Sequence, residues 1–559
     1  MASAAGVRKE LIKATRDVLD QEDGAYGVIL SGGVDTAAVV EAIKLLNDED
    51  GSRYPLPDLV VTVFASEDAT DRKYAPEVAK AFGVEHRIIE TTCESLIAND
   101  ELLDLCVATL ETFDGMELRN SLIPALAIKT VVEETGIRRF LTGDGSDELL
   151  GGYSFFWGYG DEEFAIRRKA MVDGMSFSAP KVGAKLGARV VSPYLQKSFI
   201  DFGLTLGKAD CIGERPIELY PGYPRELHQT GKLCLREAFP ESLAAWRRKD
   251  PIEVGSGSTL LSKPGFWEAK DVDIPDANQA KVVIRDKEHA TYFKAFLRCF
   301  PSGRVESKFT GTQPCVGCGH DLYSDKTLFC RTCGAWPARR MLMSWSSGKD
   351  SCWAYYVMKG GIKALMTNTS GDHVKVHKSV PLTLLREQAQ SIGLPLLEIN
   401  MEDTVPNTVY EKAVKQKLIS AKEQFDITSV CYGDLFVTEI VEWRKSSLEK
   451  MDLGLHASFP LYTKGEIETR RVALEMIRSG LKAIVVVVDT EQCGVEFLGR
   501  EFDVEFVEEC EKAGVDPCGE NGEFHTFVYA GPMFTVPISF EQGGVVDEGR
   551  FVYQTLVGS

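Results

Sequence analysis

The chain has 559 residues, of which 44% are hydrophobic and 26% charged, and its formal net charge is −20. The length exceeds that of one ordinary domain and predicts about three. The acidic excess disfavours loose, non-specific binding to nucleic acid. The sequence offers neither an apolar run of about eighteen residues nor an N-terminal signal core. We therefore expect a cytoplasmic protein without a membrane span, whose 14 cysteines are reduced thiols or metal ligands.

The first third of the sequence alternates short apolar runs with helical stretches. Residues 27–30, 59–64 and 139–142 read as strands, and residues 75–82 and 122–134 as helices. This alternation is typical of a parallel α/β sheet, in which ligands collect at the carboxyl ends of the strands.

A glycine-containing loop, Ser-Gly-Gly-Val-Asp-Thr at residues 31–36, directly follows the first strand. Glycines let the backbone approach phosphate closely, while amide groups and the next helix N-terminus attract it. The loop is not a Walker A sequence. Its form is that of enzymes that split ATP into AMP and pyrophosphate, which predicts adenylation of a substrate.

A second glycine- and carboxylate-rich segment, residues 143–153, follows the strand at 139–142. Because the carboxyl ends of parallel strands meet at one edge of a sheet, both segments are expected at one site. Asp35 and Asp147 are predicted to share the Mg²⁺ on the pyrophosphate. The predicted nucleotide-binding residues of this half are Ser31, Gly32, Gly33, Asp35, Thr36, Gly143 and Asp147.

These segments resemble the synthetase domain of asparagine synthetases and its β-lactam-forming relatives. Residues 192–195, 231–239 and 247–251 stand in the family's order, and the resemblance extends to about residue 260. It implies that Lys249 reaches the pyrophosphate and that Glu148 lies near the acyl adenylate, both as catalytic residues. Thr36 replaces the usual serine. Position 2 is alanine and only thirty residues stand before Ser31, so we expect no glutaminase domain with its N-terminal cysteine. The expected nitrogen source is therefore free ammonia, an amine or a separate glutaminase.

A connecting region at residues 266–310 contains a predicted helix at residues 288–300 and leads into two Cys-x-x-Cys pairs. Their spacing is typical of a zinc ribbon, in which four thiolates close a structural site. The predicted ligands are Cys315, Cys318, Cys330 and Cys333, and His320 is expected to be exposed. A redox role for the pairs is the alternative. The ribbon either spaces the domains or contacts RNA or protein.

The alternating pattern resumes after the ribbon, with strands predicted at residues 342–345, 364–367, 396–400, 430–433 and 483–488. A second parallel sheet is expected. The loop Ser-Ser-Gly-Lys-Asp-Ser at residues 346–351 follows its first strand, and Lys349 suits phosphate as a point charge. A turn at residues 519–526 places Glu520 and Glu523 beside glycines, as predicted catalytic residues with Lys349. The predicted nucleotide-binding residues are Ser346, Ser347, Gly348, Asp350, Ser351, Gly433 and Asp434, with Asp350 also a ligand of Mg²⁺.

Residues 341–537 resemble the diphthine ammonia ligase family, in its bacterial-type branch, through the loop, residues 433–434, 459–461 and 498–503, and the 519–526 motif. Members adenylate a carboxylate on a modified histidine, and ammonium then attacks it. Ser347 stands where the family has glycine, and Phe524-His525 replaces an aromatic residue followed by glutamate. These departures argue against diphthine itself as the substrate.

We therefore predict an α/β protein with two PP-loop domains, of the adenine nucleotide alpha hydrolase-like, Rossmann-like kind, joined by a small zinc ribbon. The predicted boundaries are 1–265 for the asparagine synthetase-like domain, 266–310 for the connecting helical segment, 311–337 for the ribbon and 338–559 for the diphthine ammonia ligase-like domain. The predicted cofactors are ATP, Mg²⁺ and structural Zn²⁺.

The predicted activity is ATP-dependent amide-bond formation at two sites, between a small-molecule or carrier-borne carboxylate and ammonia or an amine. In a variant of this hypothesis, one of the two copies has lost catalysis and only binds nucleotide or a partner. The alternatives are a PP-loop tRNA-modifying enzyme that uses the zinc ribbon to dock RNA, and a nucleotide-binding sensor. A basic face and catalytic cysteines near the loops would favour the first; Cys352 lies just beyond the second loop, where helices often bury such a residue. A nucleic acid partner is not favoured, and no membrane partner is expected.

Overall fold

The computed structural model describes residues 2–274, 282–306, 313–324, 327–375, 378–402, 405–463 and 469–558. The chain divides into two compact units. The first comprises Met1–Val305 with Thr332–Gly334, and the second comprises Glu306–Arg331 with Ala335–Ser559. None of the helices among these described residues is long and apolar enough to span a membrane.

The first unit is built on a five-stranded parallel sheet with the order β3-β2-β1-β4-β5. Its strands are β1 (Gly27–Ile29), β2 (Leu59–Phe64), β3 (His86–Glu90), β4 (Arg139–Leu141) and β5 (Arg189–Val191). Every residue of β2 is buried, as expected for a strand covered on both faces. The strand order reverses between β1 and β4, and this switch point opens a crevice at their carboxyl ends. An antiparallel hairpin, β6 (Gly213–Ile217) and β7 (Glu226–Thr230), lies outside this sheet.

Helices surround the sheet of the first unit. The helix Gly115–Thr135 is capped by Asp114, which accepts a hydrogen bond from the Glu117 amide at 3.4 Å, and it ends at Gly136 with φ +75°. The helices are α1 (Ala2–Leu19), α2 (Val34–Asp50), α3 (Ala75–Phe82), α4 (Cys93–Ala98), α5 (Asp100–Leu110), α6 (Gly115–Thr135), α7 (Ser146–Leu149), α8 (Asp161–Gly174), α9 (Ser178–Lys185), α10 (Lys197–Gly203), α11 (Lys208–Cys211), α12 (Leu233–Ala238), α13 (Ile252–Ser256), α14 (Pro264–Glu268) and α15 (Lys287–Cys299).

The second unit repeats the strand order of the first. Its parallel strands are β8 (Met341–Ser344), β9 (Ile362–Ser370), β11 (Leu396–Asn400), β12 (Ser429–Cys431) and β13 (His456–Ser458), with the short β10 (His373–Val374) antiparallel to β9. They pair in the order β11-β9-β8-β12-β13, so the loop-bearing strand again lies in the middle. The predicted α/β class with two parallel sheets is confirmed.

A separate four-stranded antiparallel sheet completes the second unit, with the order β15-β14-β17-β16. Its strands are β14 (Lys482–Asp489), β15 (Phe524–Ala530), β16 (Phe540–Asp547) and β17 (Phe551–Gly558). The prediction that residues 483–488 belong to the parallel sheet is wrong. All but the first residue of β14 are buried, and a strand covered on both faces has the same apolar sequence in either kind of sheet.

The helices of the second unit lie between these strands in the chain. They are α16 (Lys349–Met358), α17 (Leu382–Ile392), α18 (Asn407–Phe425), α19 (Thr438–Met451), α20 (Thr469–Arg478) and α21 (Val504–Ala513). A cluster of buried side chains joins both sheets of this unit and includes Met343, Cys352, Val485 and Phe527.

Candidate active sites

The two predicted phosphate loops have the same internal hydrogen bonds. In the first unit, the Ser31 and Thr36 hydroxyls lie 3.0 Å apart, and the Gly33 amide donates to Ser31 Oγ at 3.3 Å. In the second unit, Ser346 and Ser351 are 3.1 Å apart, and the Gly348 amide donates to Ser346 Oγ at 3.4 Å. The two hydroxyls thus close each loop.

Each loop leads into a helix whose first turn has no side-chain cap. Gly33 and Gly348 are the N-cap residues of α2 and α16, in extended conformation, and neither offers a side chain to the helix amides. The first amide groups of α2 therefore remain available to an anion, whereas in α16 the amide of Lys349 already donates to Thr526 Oγ1. Asp35 and Asp350 stand in the first turn of their helices, as the loop sequences predict.

The glycine after the fourth parallel strand contacts the loop aspartate in each unit. A Cβ atom on Gly143 would lie 2.8 Å from Asp35 Cβ, and one on Gly433 would lie 2.7 Å from the Asp350 carbonyl carbon. Only glycine fits at these two positions. The structure thus brings the predicted residues of both strand ends together in each unit.

Lys232 connects the two predicted magnesium ligands of the first unit. Its ammonium group lies 2.8 Å from Asp35 Oδ2 and 2.9 Å from Asp147 Oδ1, and only 1% of its side chain is exposed. Burial lowers the pKa of Lys232, but Asp147 and Asp35 outweigh it and hold the pKa above its ordinary value. Burial likewise raises the pKa of Asp147, and Lys232 and Lys249 reverse the effect, so that it stays ionised. Sequence reasoning missed Lys232 as a site residue.

The two carboxylates therefore converge on one cationic position. Ser146 Oγ donates to the other oxygen of Asp35 at 2.7 Å, which fixes that side chain. Oxygen ligands arranged around one point are what Mg²⁺ prefers. The donor set fits the predicted magnesium ion.

Glu148 and Lys249 lie at the same site, as the resemblance implies. Glu148 accepts a hydrogen bond from the Tyr153 hydroxyl at 2.7 Å, and burial raises the pKa of its carboxyl group. Lys249 lies 3.6 Å from Asp147 Oδ2 and 4.6 Å from the centre of the Tyr153 ring. A cation beside a buried carboxylate can stabilise charge that develops on phosphate.

Arg247 contacts the backbone of the first loop, a role that we do not predict from the sequence. Its guanidinium donates to the Gly32 carbonyl at 2.7 Å and to Asp71 Oδ1 at 2.6 Å, and pairs with Asp250 at 2.8 Å. Its side chain is almost fully buried. Such an arginine fixes the loop backbone, a role that the basic run at residues 247–249 does not reveal.

A cavity of about 500 Å³ opens at this edge of the first sheet. Its lining includes the loop, Asp147, Glu148, Lys232 and Lys249, and the inner face of α6. The volume lies within the usual range for small-molecule sites. The cations that line it all belong to residues 232–249, whereas α6 contributes neutral and acidic side chains such as Asn120 and Glu117.

In the second unit, Lys349 and Asp350 form a buried pair within the loop. Lys349 Nζ lies 2.9 Å and 2.8 Å from the two carboxylate oxygens of Asp350, and its amide donates to Thr526 Oγ1 at 3.1 Å. Thr526 belongs to the predicted 519–526 motif, so the motif contacts the loop directly. Burial raises the pKa of Asp350 more than Lys349 lowers it.

Ser347, which stands where the family has glycine, takes a left-handed backbone conformation with φ +69°. Its side chain is fully buried, and its hydroxyl has no hydrogen-bond partner. Its carbonyl accepts from the Val528 amide at 3.0 Å. A residue other than glycine pays conformational energy at such a position.

The 519–526 motif supplies two carboxylates with different surroundings. The Leu435 amide donates to Glu520 Oε2 at 3.3 Å, and burial with the nearby Asp350 raises the pKa of Glu520 to about 8. Glu523 instead accepts hydrogen bonds from the amide and side chain of Asn521, both at 2.9 Å, and so holds the turn. Its predicted catalytic role stays a prediction.

Asp434 and His525 complete the surroundings of the second loop. Asp434 Oδ2 pairs with Arg444 Nε at 2.9 Å, and Arg444 stacks over the Tyr432 ring. Burial and the positive charge of Lys349 lower the pKa of His525 to about 4, so its ring is neutral near pH 7.

Cys352 lies just beyond the second loop, on α16, and is fully buried. Burial, with the charge of Asp350, raises the pKa of its thiol well above the ordinary value. A thiol that stays protonated is a poor nucleophile.

The four predicted metal ligands come together. The Sγ atoms of Cys315, Cys318, Cys330 and Cys333 all lie within 4.8 Å of one another, and all four residues are buried. Four thiolates at this separation fit a tetrahedral zinc ion. His320 is buried, with Nδ1 3.4 Å from Cys318 Sγ, so the expectation that it is exposed is wrong. A short loop after a cysteine pair does not reveal which of its side chains fold inward.

Comparison with protein families gives two matches. Residues 6–198 match the asparagine synthase model, and residues 468–551 match the diphthamide synthase C-terminal domain model. The first match contains the first loop, Asp147 and Glu148, and the second contains the 519–526 motif.

Curated relatives match the first half of the chain. Asparagine synthetase B (glutamine-hydrolyzing) of Escherichia coli K12 is 28% identical over 316 residues, which cover 53% of this chain and 54% of the relative. Asparagine synthetase (glutamine-hydrolyzing) 1 of Saccharomyces cerevisiae is 27% identical over 341 residues, which cover 54% of this chain and 58% of the relative. The chain thus spans about half the length of the curated relatives it matches.

Two solved structures were also matched. A predicted tRNA methyltransferase subunit from Methanocaldococcus jannaschii has 11% identity and a TM-score of 0.18, and covers 39% of this chain and 89% of its own. The U34-tRNA thiolase NcsA from Methanococcus maripaludis, with its [4Fe-4S] cluster, has 14% identity and a TM-score of 0.20, and covers 56% and 83%. By sequence, residues 6–198 are similar to asparagine synthases, and residues 468–551 are similar to the C-terminal domain of diphthamide synthases.

Proposed function

We propose that the chain is an ATP-dependent carbon–nitrogen ligase that forms AMP and pyrophosphate. It adenylates a carboxylate and couples it to ammonia or an amine, and it has two sites for this chemistry. The observation that carries the proposal is the cluster in the first unit, where Asp35, Asp147, Lys232 and Lys249 meet beside an uncapped phosphate loop in a cavity of about 500 Å³. The asparagine synthase match over residues 6–198 supports it.

In the first unit, each residue has a proposed role. The loop amides and the α2 N-terminus hold the phosphates, and Asp35 and Asp147 hold Mg²⁺. Lys249, whose side chain is 27% exposed, is free to turn from Asp147 to charge that develops on phosphate. ATP supplies the adenylyl group that makes the carboxylate reactive. Glu148, buried beside Tyr153, lines the acceptor part of the cavity.

In the second unit, Lys349 binds phosphate, and Asp350 holds Mg²⁺ once nucleotide takes over the contact with the lysine. Gly433 and Asp434, at the end of β12, form the side of the site next to Asp350. Glu520, with its pKa raised to about 8, keeps its proton near pH 7 and donates a hydrogen bond to the acceptor or nucleotide. The match to the diphthamide synthase C-terminal domain over residues 468–551 supports a nitrogen-transfer reaction here.

The ribbon cysteines are proposed to hold a structural zinc ion. Cys318→Ser is expected to lose the one equivalent of zinc per chain, measured by mass spectrometry of the metal after gel filtration. Cys299→Ser is the matched control, since Cys299 is a free cysteine outside the cluster. Full zinc content in Cys318→Ser would refute the assignment. The four-part division at residues 265, 310 and 337 remains part of this proposal.

Among the alternatives, tRNA modification through Cys352 requires a thiolate beside the second loop. The burial of Cys352 and its raised pKa speak against that role. A sensor without turnover would release no pyrophosphate, which separates it from both enzymes.

The testing experiment is ATP–pyrophosphate exchange by the full-length protein, with pools of small carboxylic acids or bulk tRNA, and with ammonium present or absent. Asp35→Ala and Asp350→Ala are each expected to remove exchange at their own site, by at least about 100-fold. Asp48→Ala is the matched control, since Asp48 is an exposed residue of α2 paired with Lys44. Undiminished exchange in the double variant would refute the two-site proposal. Exchange that requires tRNA would favour RNA modification.

A further inference from the structure

A second cavity in the first unit, of about 650 Å³, lies away from the phosphate loop. It is formed by the first turn of α1, the hairpin of β6 and β7, the end of α12 and the segment that carries Trp246. None of the residues proposed for catalysis lines it. Neither the sequence motifs nor the family resemblance assigns it a role.

Three guanidinium groups and one carboxylate line this cavity, those of Arg8, Arg215, Arg225 and Glu237. Glu237 is already engaged, because it accepts hydrogen bonds from Nε and Nη2 of Arg215. The lining therefore has an excess of two positive charges, in a chain whose formal net charge is −20. Such an excess at one concave place attracts an anion.

Two of the arginines are held in place, and the third is free. Arg8 donates to the Ala238 carbonyl at 2.7 Å and lies 4.9 Å from the centre of the Phe239 ring. Arg215 is fixed by Glu237. Arg225 is exposed, and within the described ranges it makes no ion pair. Two arginines held by hydrogen bonds and an exposed third one suit an oxyanion, since guanidinium forks match phosphate and carboxylate.

The rest of the lining is mostly apolar. It consists of Ala4, Ala5, Pro216, Ala238, Pro240 and Trp246. Trp246 donates its indole N–H to the Pro240 carbonyl at 3.0 Å, which fixes the ring in the wall. An apolar wall with one indole and a few convergent charges is typical of small-molecule sites. The first turn of α1 has no acidic residue to oppose an anion.

We infer that this cavity is a binding site for a small organic anion, with a phosphate or carboxylate head on Arg8 and Arg225 and a flat body against Trp246. The site is separate from the two ATP sites. Its ligand class follows from the guanidinium groups and the indole together, since neither alone selects a planar anion.

The test uses the full-length protein and three probes: inorganic phosphate, AMP and benzoate, each titrated to about 10 mM. The first readout is tryptophan fluorescence. Subtracting the emission of the Trp246→Phe variant from that of the wild type isolates the contribution of Trp246. We expect at least one probe to quench it, and Arg225→Gln and Arg8→Gln to weaken that response about tenfold or more. Arg53→Gln is the matched control, as Arg53 is an exposed arginine paired with Asp20 elsewhere on the unit.

A response to phosphate and AMP identifies a phosphate head, and a response to benzoate alone identifies a carboxylate. A second readout is the melting temperature, which phosphate or benzoate bound in this cavity raises in the wild type and not in Arg225→Gln; AMP is left out of this readout because it also binds the proposed ATP sites. The inference is overturned if no probe changes either readout. It is also overturned if Arg225→Gln and Arg8→Gln both respond as the wild type does, because the probe then binds at another place on the molecule.

Discussion

Lys232→Met tests the central electrostatic feature of the first unit. The substitution keeps an apolar stem of similar length and removes the ammonium that bridges Asp35 and Asp147 at 2.8 Å and 2.9 Å. Two partly buried carboxylates then face each other, and the ammonium of Lys249, 3.6 Å from Asp147, remains as a partly exposed cation. Breaking a buried ion pair by removing one partner costs about 3–5 kcal/mol, so the first unit should lose that much stability.

The pH range of this contribution follows from the pKa shifts. The pKa of Asp147 is lowered from 3.8, so its contribution is present above that value and is lost as the pH falls through the folded-state pKa. The pKa of Lys232 is raised from 10.5, so its contribution is complete below that value and is lost as the pH rises through the folded-state pKa. The stability that Lys232→Met removes from the first unit should therefore be lost in full at pH 7.

The assay is pulse proteolysis in urea, with peptides from β1 and α2 reporting the first unit. Millimolar Mg²⁺ should stabilise Lys232→Met more than the wild type, because the freed carboxylates bind it in the folded state only. Lys249→Met is the control: its ammonium lies 3.6 Å from Asp147 and is partly exposed, so its loss should cost less than about 1 kcal/mol. A Lys232→Met protein within about 1 kcal/mol of the wild type, with no added response to Mg²⁺, would refute the reasoning.

Three further predictions concern the second unit. Gly433→Ala should abolish nucleotide binding to the second unit, measured by titration calorimetry, because the added Cβ would lie 2.7 Å from the Asp350 carbonyl carbon. Gly544→Ala is the control: open space surrounds Gly544, so this variant should bind nucleotide normally. Ser347→Gly should raise stability by about 1–2 kcal/mol in urea unfolding, since glycine takes φ +69° without strain; an unchanged midpoint would contradict this. Glu520 binds more protons folded than unfolded between pH 4.5 and about 8, so stability should fall as the pH rises through this range. Glu520→Gln should flatten that slope in thermal unfolding, and a slope equal to that of the wild type would argue against the raised pKa.

Much of the site could be read from the sequence because the chemistry is local. A phosphate loop is six consecutive residues between a strand and a helix, and its serine and threonine hydroxyls close it through contacts five positions apart. The clustering of the four cysteines could be predicted for the same reason, since each Cys-x-x-Cys pair forms one short turn. Such features need no knowledge of distant parts of the chain.

Lys232 and Arg247 show what local sequence patterns cannot predict. Lys232 is 197 positions from Asp35, and Arg247 is 215 positions from Gly32. Either residue, read alone, is equally consistent with a solvated basic side chain. Their roles depend on how α12 and the segment after it fold back onto the loop, which no local pattern specifies.

The prediction that residues 483–488 belong to the parallel sheet fails for a related reason. A buried apolar run specifies a strand, but its partners decide whether the sheet is parallel or antiparallel. Here β14 pairs with β15 and β17, both later in the chain and both antiparallel to it.

The sequence by itself determined the two phosphate loops, the metal-binding cysteines and the α/β class, because periodicity, glycine placement and ligand spacing act over a few residues. Only the tertiary structure decided the pairing of Lys232 with two aspartates, the burial of Cys352 and His320, and the arginine-lined cavity beside Trp246. These depend on contacts between residues far apart in the chain, where burial and charge are set by neighbours that the sequence does not place.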